Sequence, residues 1–101
     1  MFANVRRYRG LSEPTVAALA ERAVDIAAVL DSVPGSCASH LIRTREGVIL
    51  VTVGRDEPCL VESGRRFRAW VDDHIREFRS AEEPDIWFGP VLFQQMDAEP
   101  R

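Results

Sequence analysis

The stretch Val48-Ile49-Leu50-Val51-Thr52-Val53 decides the fold, because β-branched residues fill all but one of its positions and such residues favour strands. A short polar turn, Arg45-Glu46-Gly47, precedes it. Before that turn, residues 37–43 form a second strand-like run. We therefore predict that residues 37–43 and 48–53 pair as an antiparallel hairpin.

A helix is predicted upstream of this hairpin. Ser12 is suited to cap the free N–H groups of its first turn, and Pro14 fits the turn itself. Pro34 and Gly35 end the helical pattern, which runs to about Asp31. Its apolar residues recur at steps of three and four and are Val16, Leu19, Ala20, Ala23, Ile26, Ala27 and Leu30.

A second amphipathic helix is predicted downstream, beginning at Asp56-Glu57-Pro58. Its apolar face comprises Leu60, Phe67, Trp70, Val71, His74, Ile75 and Phe78. Residues 2–9 and 86–93 supply the first and fourth strand patterns, and Pro90 places the fourth at an edge or beside a bulge. The result is a single α+β domain over residues 1–93 with ferredoxin-like βαββαβ order and a four-stranded antiparallel sheet, followed by a polar tail, 94–101.

Composition limits the function classes. With 46% hydrophobic and 29% charged residues, the 101-residue chain is typical of one globular domain. The longest apolar run, residues 48–53, is too short to cross a bilayer, and the net charge of −3 argues against nucleic acid. The N-terminus lacks the pattern of a secretory signal, which predicts a cytoplasmic protein. Two isolated cysteines and no paired histidines indicate no metal, and we expect no cofactor.

The strands are apolar on both faces. Ile49, Val51 and Val53 point one way, while Val48 and Leu50 point the other. Two helices cover only one face of a four-stranded sheet, so the second face would leave a large apolar patch in water. We therefore predict a homodimer in which a partner sheet covers that face.

The element order, the passage at Pro34-Gly35 and the second-helix text RRFRAWVDDHI (65–75) resemble the dimeric α+β barrel superfamily, in particular its antibiotic-biosynthesis-monooxygenase-like branch. The resemblance spans residues 2–93. It implies two ferredoxin-like protomers that face their sheets together, with a small-molecule pocket between each sheet and its own helices. Members include cofactor-independent oxygenases of aromatic polyketides, haem-degrading enzymes and isomerases, so fold alone does not choose the function.

Polar side chains on the first strand are candidate ligand contacts. Asn4, Arg6 and Tyr8 share one face of a strand that is expected inside the sheet, where polar groups need partners. In one interpretation they line the pocket, with Asn4 orienting a ligand oxygen and Arg6 holding an anion. In the other, Arg6, Arg7 and Arg9 pair with acids near the dimer seam.

Trp70 and His74 stand four residues apart and should meet on one helical face beside Phe67 and Phe78. His74 is the candidate general base, and Trp70 and Phe67 are candidate ligand contacts. Alternatively, Trp70 fills the core and His74 lies at its edge. The haem-degrading members resemble this chain at Asn4, Trp70 and His74, although His74 lies closer to Trp70 than in their pattern.

Three further features have both functional and structural interpretations. His40, on the second strand, is a possible acid or base and ligand contact, or a hydrogen-bonded sheet residue. Cys59 is a possible low-pKa thiol at a helix start or a packing residue. The cluster of Arg65, Arg66 and Arg68 is explained by ion pairs with nearby acids on a solvated helix face.

The sequence thus leads to one main hypothesis, a dimeric protein that binds a small apolar or aromatic molecule. A cofactor-independent monooxygenase is its enzymatic form. A non-enzymatic ligand-binding or stress-response module and a purely interacting domain stay open as alternatives, and a haem-degrading monooxygenase is a further one.

Overall fold

A computed structural model describes residues 1–95, so residues 96–101 of the predicted tail lie outside the described part. The predicted α+β order is confirmed. The strands are β1 (Phe2–Arg9), β2 (Ser36–Arg43), β3 (Gly47–Gly54) and β4 (Asp85–Pro90). The helices are α1 (Glu13–Glu21), α2 (Ala23–Asp31), α3 (Glu57–His74) and a short 3-10 helix (Arg76–Ser80).

The four strands form one antiparallel sheet in the order β2-β3-β1-β4. This confirms the predicted ferredoxin-like sheet and its β2–β3 hairpin. β1 is central, as expected, and pairs with β3 from Phe2 opposite Gly54 to Arg9 opposite Gly47. β4 is an edge strand, which explains why it tolerates Pro90.

Both predicted helix starts are confirmed by their caps. The Ser12 hydroxyl accepts a hydrogen bond from the Thr15 N–H at 3.3 Å. The Asp56 carboxylate accepts one from the Cys59 N–H at 3.0 Å. In each case a proline occupies the first turn, where its missing N–H costs nothing.

The prediction of one continuous helix to Asp31 was wrong, because the helix is interrupted at Arg22. The backbone there has φ −104° and ψ 17°, outside the α region. The Arg22 side chain bonds Asp25 at 2.9 Å and lies over the Trp70 ring, 5.0 Å from its centroid. On the predicted buried stripe the large residues are buried, but three of its alanines are exposed, and these are Ala20, Ala23 and Ala27.

Two other boundaries differ from expectation. α3 ends at His74, since Ile75 is extended at φ −123° and ψ 93°. Phe78 nevertheless reaches the core, from the 3-10 helix. β4 ends at Pro90 rather than Phe93, although the Val91 N–H still bonds the Met1 carbonyl at 2.9 Å.

The core lies between the helices and one face of the sheet. At its centre, the rings of Tyr8, Phe67 and Phe78 have centroids 5.1 to 6.2 Å apart, in tilted or edge-to-face contact. Leu50 and Val71 are fully buried around them. No helix within residues 1–95 is long and apolar enough to span a bilayer.

The other face of the sheet is apolar, and within residues 1–95 no helix covers it. Val5, Val51 and Val53 lie there half-buried. On the same face, Ile42 and Trp87 are 46% and 52% exposed. The two-sided pattern of the strands is therefore real, and the homodimer inferred from it stays a prediction.

Candidate functional site

A cleft of about 470 Å³ opens between α3 and the β4 edge of the sheet. The wall from α3 combines apolar residues with charged ones, and comprises Val61, Gly64, Arg65, Arg68, Ala69 and Asp72. The floor comprises Arg6 and Tyr8 of β1 and Ile86 of β4, with Glu83 and Pro84 at one end. Ile86 and the neighbouring Phe88 are 43% and 42% exposed. The cleft thus has apolar surface that a ligand would cover.

The basic residues of α3 form the ion pairs that the sequence indicated. Arg68 Nε bonds the Asp72 carboxylate at 3.0 Å, one turn along the helix. Arg65 and Arg66 both bond Glu62, and these hydrogen bonds lower the pKa of Glu62 to about 2. Most positive charge on this wall is therefore matched by an acid of the same helix.

The arginines of β1 differ in their surroundings: Arg7 and Arg9 pair with an acid, whereas Arg6 lines the cleft. Arg7 and Arg9 point to the helix-free face, where both bond Asp85, at 3.0 and 3.2 Å. Arg6 points to the helix side and into the cleft. Within residues 1–95 its guanidinium has no hydrogen-bond or ion-pair partner. Arg6 is therefore available to a ligand.

Tyr8 forms the boundary between cleft and core. Its ring belongs to the core and the residue is 2% exposed, yet it lines the cleft floor beside Arg6. Burial raises the pKa of the Tyr8 phenol, against the opposing effect of Arg6 and Arg68. The hydroxyl therefore stays protonated at neutral pH and can donate a hydrogen bond.

Asn4 lies two residues from Arg6 on the same strand face and does not line the cleft. It is 1% exposed, and the Thr52 hydroxyl donates a hydrogen bond to its side-chain oxygen. The Asn4 Nδ2 group has no partner among the described residues. A buried amide donor without a partner lowers the stability of the fold, so a ligand oxygen or a water molecule that accepts its hydrogen bond would be stabilising.

Trp70 and His74 meet as predicted, but on the other flank of α3. Their rings stack with centroids 4.2 Å apart and planes 12° apart, and His74 Nδ1 lies 2.8 Å from the Trp70 carbonyl oxygen. Successive residues are rotated by about 100° around a helix axis, so Trp70 lies on nearly the opposite side of α3 from Arg68 and Asp72. Neither Trp70 nor His74 lines the cleft. Phe67 lies between the flanks, 1% exposed in the core.

His40 lies on the helix-free face of β2, exposed, opposite Val51. The structure therefore joins Arg6 and Tyr8 at the cleft, places Asn4 next to them, and separates His40, Trp70 and His74 from them. Cys59 is buried against Gly54, in agreement with its packing interpretation. The roles assigned to these side chains stay predictions.

Sequence reasoning missed the α3 wall of the cleft. Arg68 and Asp72 carry a visible signal, their spacing of four, but that spacing equally fits a solvated helix face. Val61 and Gly64 carry no signal at all in an amphipathic pattern. The orientation of α3 over the sheet, which the sequence does not specify, is what assigns these residues to the cleft.

No family model matches the sequence, and no curated protein matches it significantly. Solved structures do share its fold. A point mutant of MhuD with two manganese protoporphyrin IX molecules per active site gives a TM-score of 0.70, at 13% identity over 96% of this chain and all of that one. A candidate antibiotic biosynthesis monooxygenase from Nitrosomonas europaea gives 0.69, at 11% identity over 92% of this chain and all of that one.

SnoaB from Streptomyces nogalater, described as a cofactor-independent oxygenase, gives a TM-score of 0.55, at 17% identity over 97% of this chain and 95% of SnoaB. The chain spans 66% of the length of MupZ from Pseudomonas fluorescens, another structure with this fold. At these identities the likeness establishes the fold. The chain thus shares the ferredoxin-like α+β fold of these solved structures.

Proposed function

We propose that this protein binds a small apolar or aromatic molecule in the cleft between α3 and β4. The observation that carries the proposal is the composition of the cleft. Its volume is within the usual range for ligand sites, and Val61, Ala69 and Ile86 offer apolar contact. Beside them lie the Arg6 guanidinium and the Tyr8 hydroxyl, which have no hydrogen-bond partner within residues 1–95. Such a pairing of apolar wall and oriented polar groups is typical of small-molecule sites.

Cofactor-independent oxygenation is the enzymatic form of this proposal, and SnoaB, which shares the fold, supports it. In such chemistry the protein stabilises the deprotonated substrate, and that anion reacts with oxygen. A guanidinium and a neutral phenol at the cleft floor are suited to stabilising an anion. His74 is the predicted base, although from its position on α3 it does not line the cleft.

A haem-degrading function is less well supported by the residues present. MhuD shares the fold, and its mutant binds manganese protoporphyrin IX. Here, however, neither histidine lines the cleft, since His74 lies on the other flank of α3 and His40 on the helix-free face of the sheet. The cleft therefore offers no imidazole that would hold a haem iron.

The proposal includes a homodimer. The half-buried valines of the helix-free face, together with Ile42 and Trp87, form an apolar surface that a second sheet would cover. Covering this surface would stabilise the dimer in proportion to the apolar area that is removed from water. The partner we propose is a second copy of this chain, in a cytoplasmic protein that binds neither membrane nor nucleic acid.

The binding proposal is tested with 2-naphthamide, a neutral aromatic probe, titrated at millimolar concentration against ¹⁵N-labelled protein. We expect amide shifts to cluster at Gly64, Ala69 and Ile86. Ala69→Trp should fill the cleft and abolish them. Ala17→Trp is the matched control, because Ala17 is also an exposed helical alanine and does not line the cleft. Shifts that are absent, or unaffected by Ala69→Trp, would refute binding in this cleft.

Catalysis and binding are separated by two further measurements. A native mass spectrum of freshly purified protein identifies any co-purified ligand and the assembly that holds it. That ligand, or an oxidisable polycyclic phenol if none is found, is then incubated with the protein in an oxygen-electrode cell. Uptake of oxygen above the rate with Ala69→Trp supports an oxygenase, whereas binding without uptake supports the ligand-binding module.

A further inference from the structure

We propose that Arg6 selects ligands that carry a carboxylate or a similar planar anion, and that Gly64 is the positioning residue that gives Arg6 its place. This inference rests on the proposed function and narrows its ligand class to aromatic acids. It concerns a pair of residues on facing elements, Arg6 on β1 and Gly64 on α3.

The charges of the cleft identify Arg6 as the unmatched group. Three guanidinium groups line the cleft, and two of them bond acids of α3, Arg68 with Asp72 and Arg65 with Glu62. Glu83 also lines the cleft, but it is exposed at the end and makes no ion pair with Arg6. Among the described residues Arg6 is therefore the cleft cation without an acid.

The position of Arg6 makes an anion its natural partner. The residue is only partly exposed, so its guanidinium has lost part of its water without gaining a counter-charge. A carboxylate accepts two parallel hydrogen bonds from a guanidinium, and this geometry is both strong and specific. The apolar surface of Ile86, directly opposite Arg6 on β4, lies where the ring of an aromatic acid would pack.

Gly64 creates the space in which the Arg6 head group lies. A Cβ atom built on Gly64 would lie 2.6 Å from Arg6 Nε and closer still to Cζ and Nη2. Every other residue would therefore push the guanidinium away. The clash is with the flexible end of a side chain and not with backbone, so an alanine here moves Arg6 and leaves α3 in place. Glycine is a poor residue for the interior of a helix, which makes its presence here informative.

The test compares 2-naphthoate with 2-naphthamide, which match in shape and differ in charge. We expect the wild-type protein to bind the naphthoate at least about tenfold more tightly, as for hydrogen bonds to charged groups. Arg6→Gln should reduce this affinity ratio to about one, because the naphthoate loses much more affinity than the naphthamide when the guanidinium is removed. Arg45→Gln is the matched control, since Arg45 is exposed and lies outside the cleft, and it should keep the ratio.

Gly64→Ala tests the positioning role. It should lower the ratio of naphthoate affinity to naphthamide affinity at least about fivefold. Adding Gly64→Ala to Arg6→Gln should lower this ratio no further than Arg6→Gln alone, because both changes remove the same contact. A wild-type ratio near one, or equal weakening of both probes by Arg6→Gln, would overturn the selection by Arg6. A ratio unchanged in folded Gly64→Ala would overturn the role of Gly64. If neither probe binds in the cleft, the proposed function itself fails; if both bind alike, only this inference does.

Discussion

The imidazole of His74 lies flat on the indole of Trp70, with ring centroids 4.2 Å apart, and both rings face away from the cleft. We therefore expect His74→Ala to leave the affinity of 2-naphthamide unchanged within about twofold, because the lost ring does not line the cleft. Titration by NMR measures this. The assigned role as base has a separate readout: oxygen uptake that disappears while binding persists would support it, and uptake at the wild-type rate would contradict it.

Tyr8 gives a prediction about alkaline pH. Burial raises the pKa of its phenol, so below pH 10 the group is neutral in both folded and unfolded chains and contributes no pH dependence. Above pH 10 the unfolded chain releases the proton first, and the free energy of unfolding should fall as pH rises through the folded pKa.

Because Tyr8 is the only tyrosine of the chain, phenolate absorbance at 295 nm reports it directly. We expect the titration midpoint above 10 in folded protein and a shift back towards 10 in urea. The Tyr8→Phe variant should lose the tyrosine contribution to the alkaline slope. A folded midpoint at or below 10 would show that burial does not dominate at this site.

The buried contact between Asn4 and Thr52 should be costly to break from one side only. Thr52→Val leaves the whole Asn4 amide without a partner, and we expect it to reduce the free energy of unfolding by about 1–3 kcal/mol. Replacing both partners, as Asn4→Leu with Thr52→Val, should recover part of that loss. Urea denaturation measures both variants. If the double variant loses more free energy of unfolding than the two single variants lose together, this account is contradicted.

The helix-free face of the sheet predicts the assembly. Val51 lies at its centre, between Val5 and His40, so Val51→Glu places a charge in the proposed dimer contact. We expect wild-type protein to sediment as a dimer at micromolar concentration and Val51→Glu as a monomer. Val24→Glu, an equal change at a residue 84% exposed on α2, should remain dimeric. A wild-type monomer would refute the homodimer.

Much of the fold follows from local signals in the sequence. The β-branched run at residues 48–53, the caps at Ser12 and Asp56 and the prolines beside them each act over a few residues, and each is confirmed. The break at Arg22 was not predictable in the same way. Arg22 there contacts Trp70, which is remote in sequence and becomes a neighbour only when α3 packs.

The site was predicted in part for a similar reason. Strand alternation correctly placed Arg6 and Tyr8 on one shared face of β1, because a period of two fixes which side chains lie together, but it left open whether that face meets the helices. A helix has two flanks beside its buried stripe, and the sequence of α3 offers aromatic residues on one flank and ion pairs on the other. The sheet edge decides which flank meets the cleft, and here it is the flank of Arg68 and Asp72.

The place of β4 in the sheet has a consequence for folding order. Arg7 pairs with Asp85 across 78 residues, so the contact between β1 and β4 closes the longest loop in the sheet. During synthesis the β2–β3 hairpin is complete long before Ile86 leaves the ribosome. The cleft floor is thus finished last, and as a six-residue edge strand β4 is also the first part of the sheet expected to detach. A ligand in the cleft would therefore slow amide hydrogen exchange most at β4, because it would contact this strand and hold it against β1.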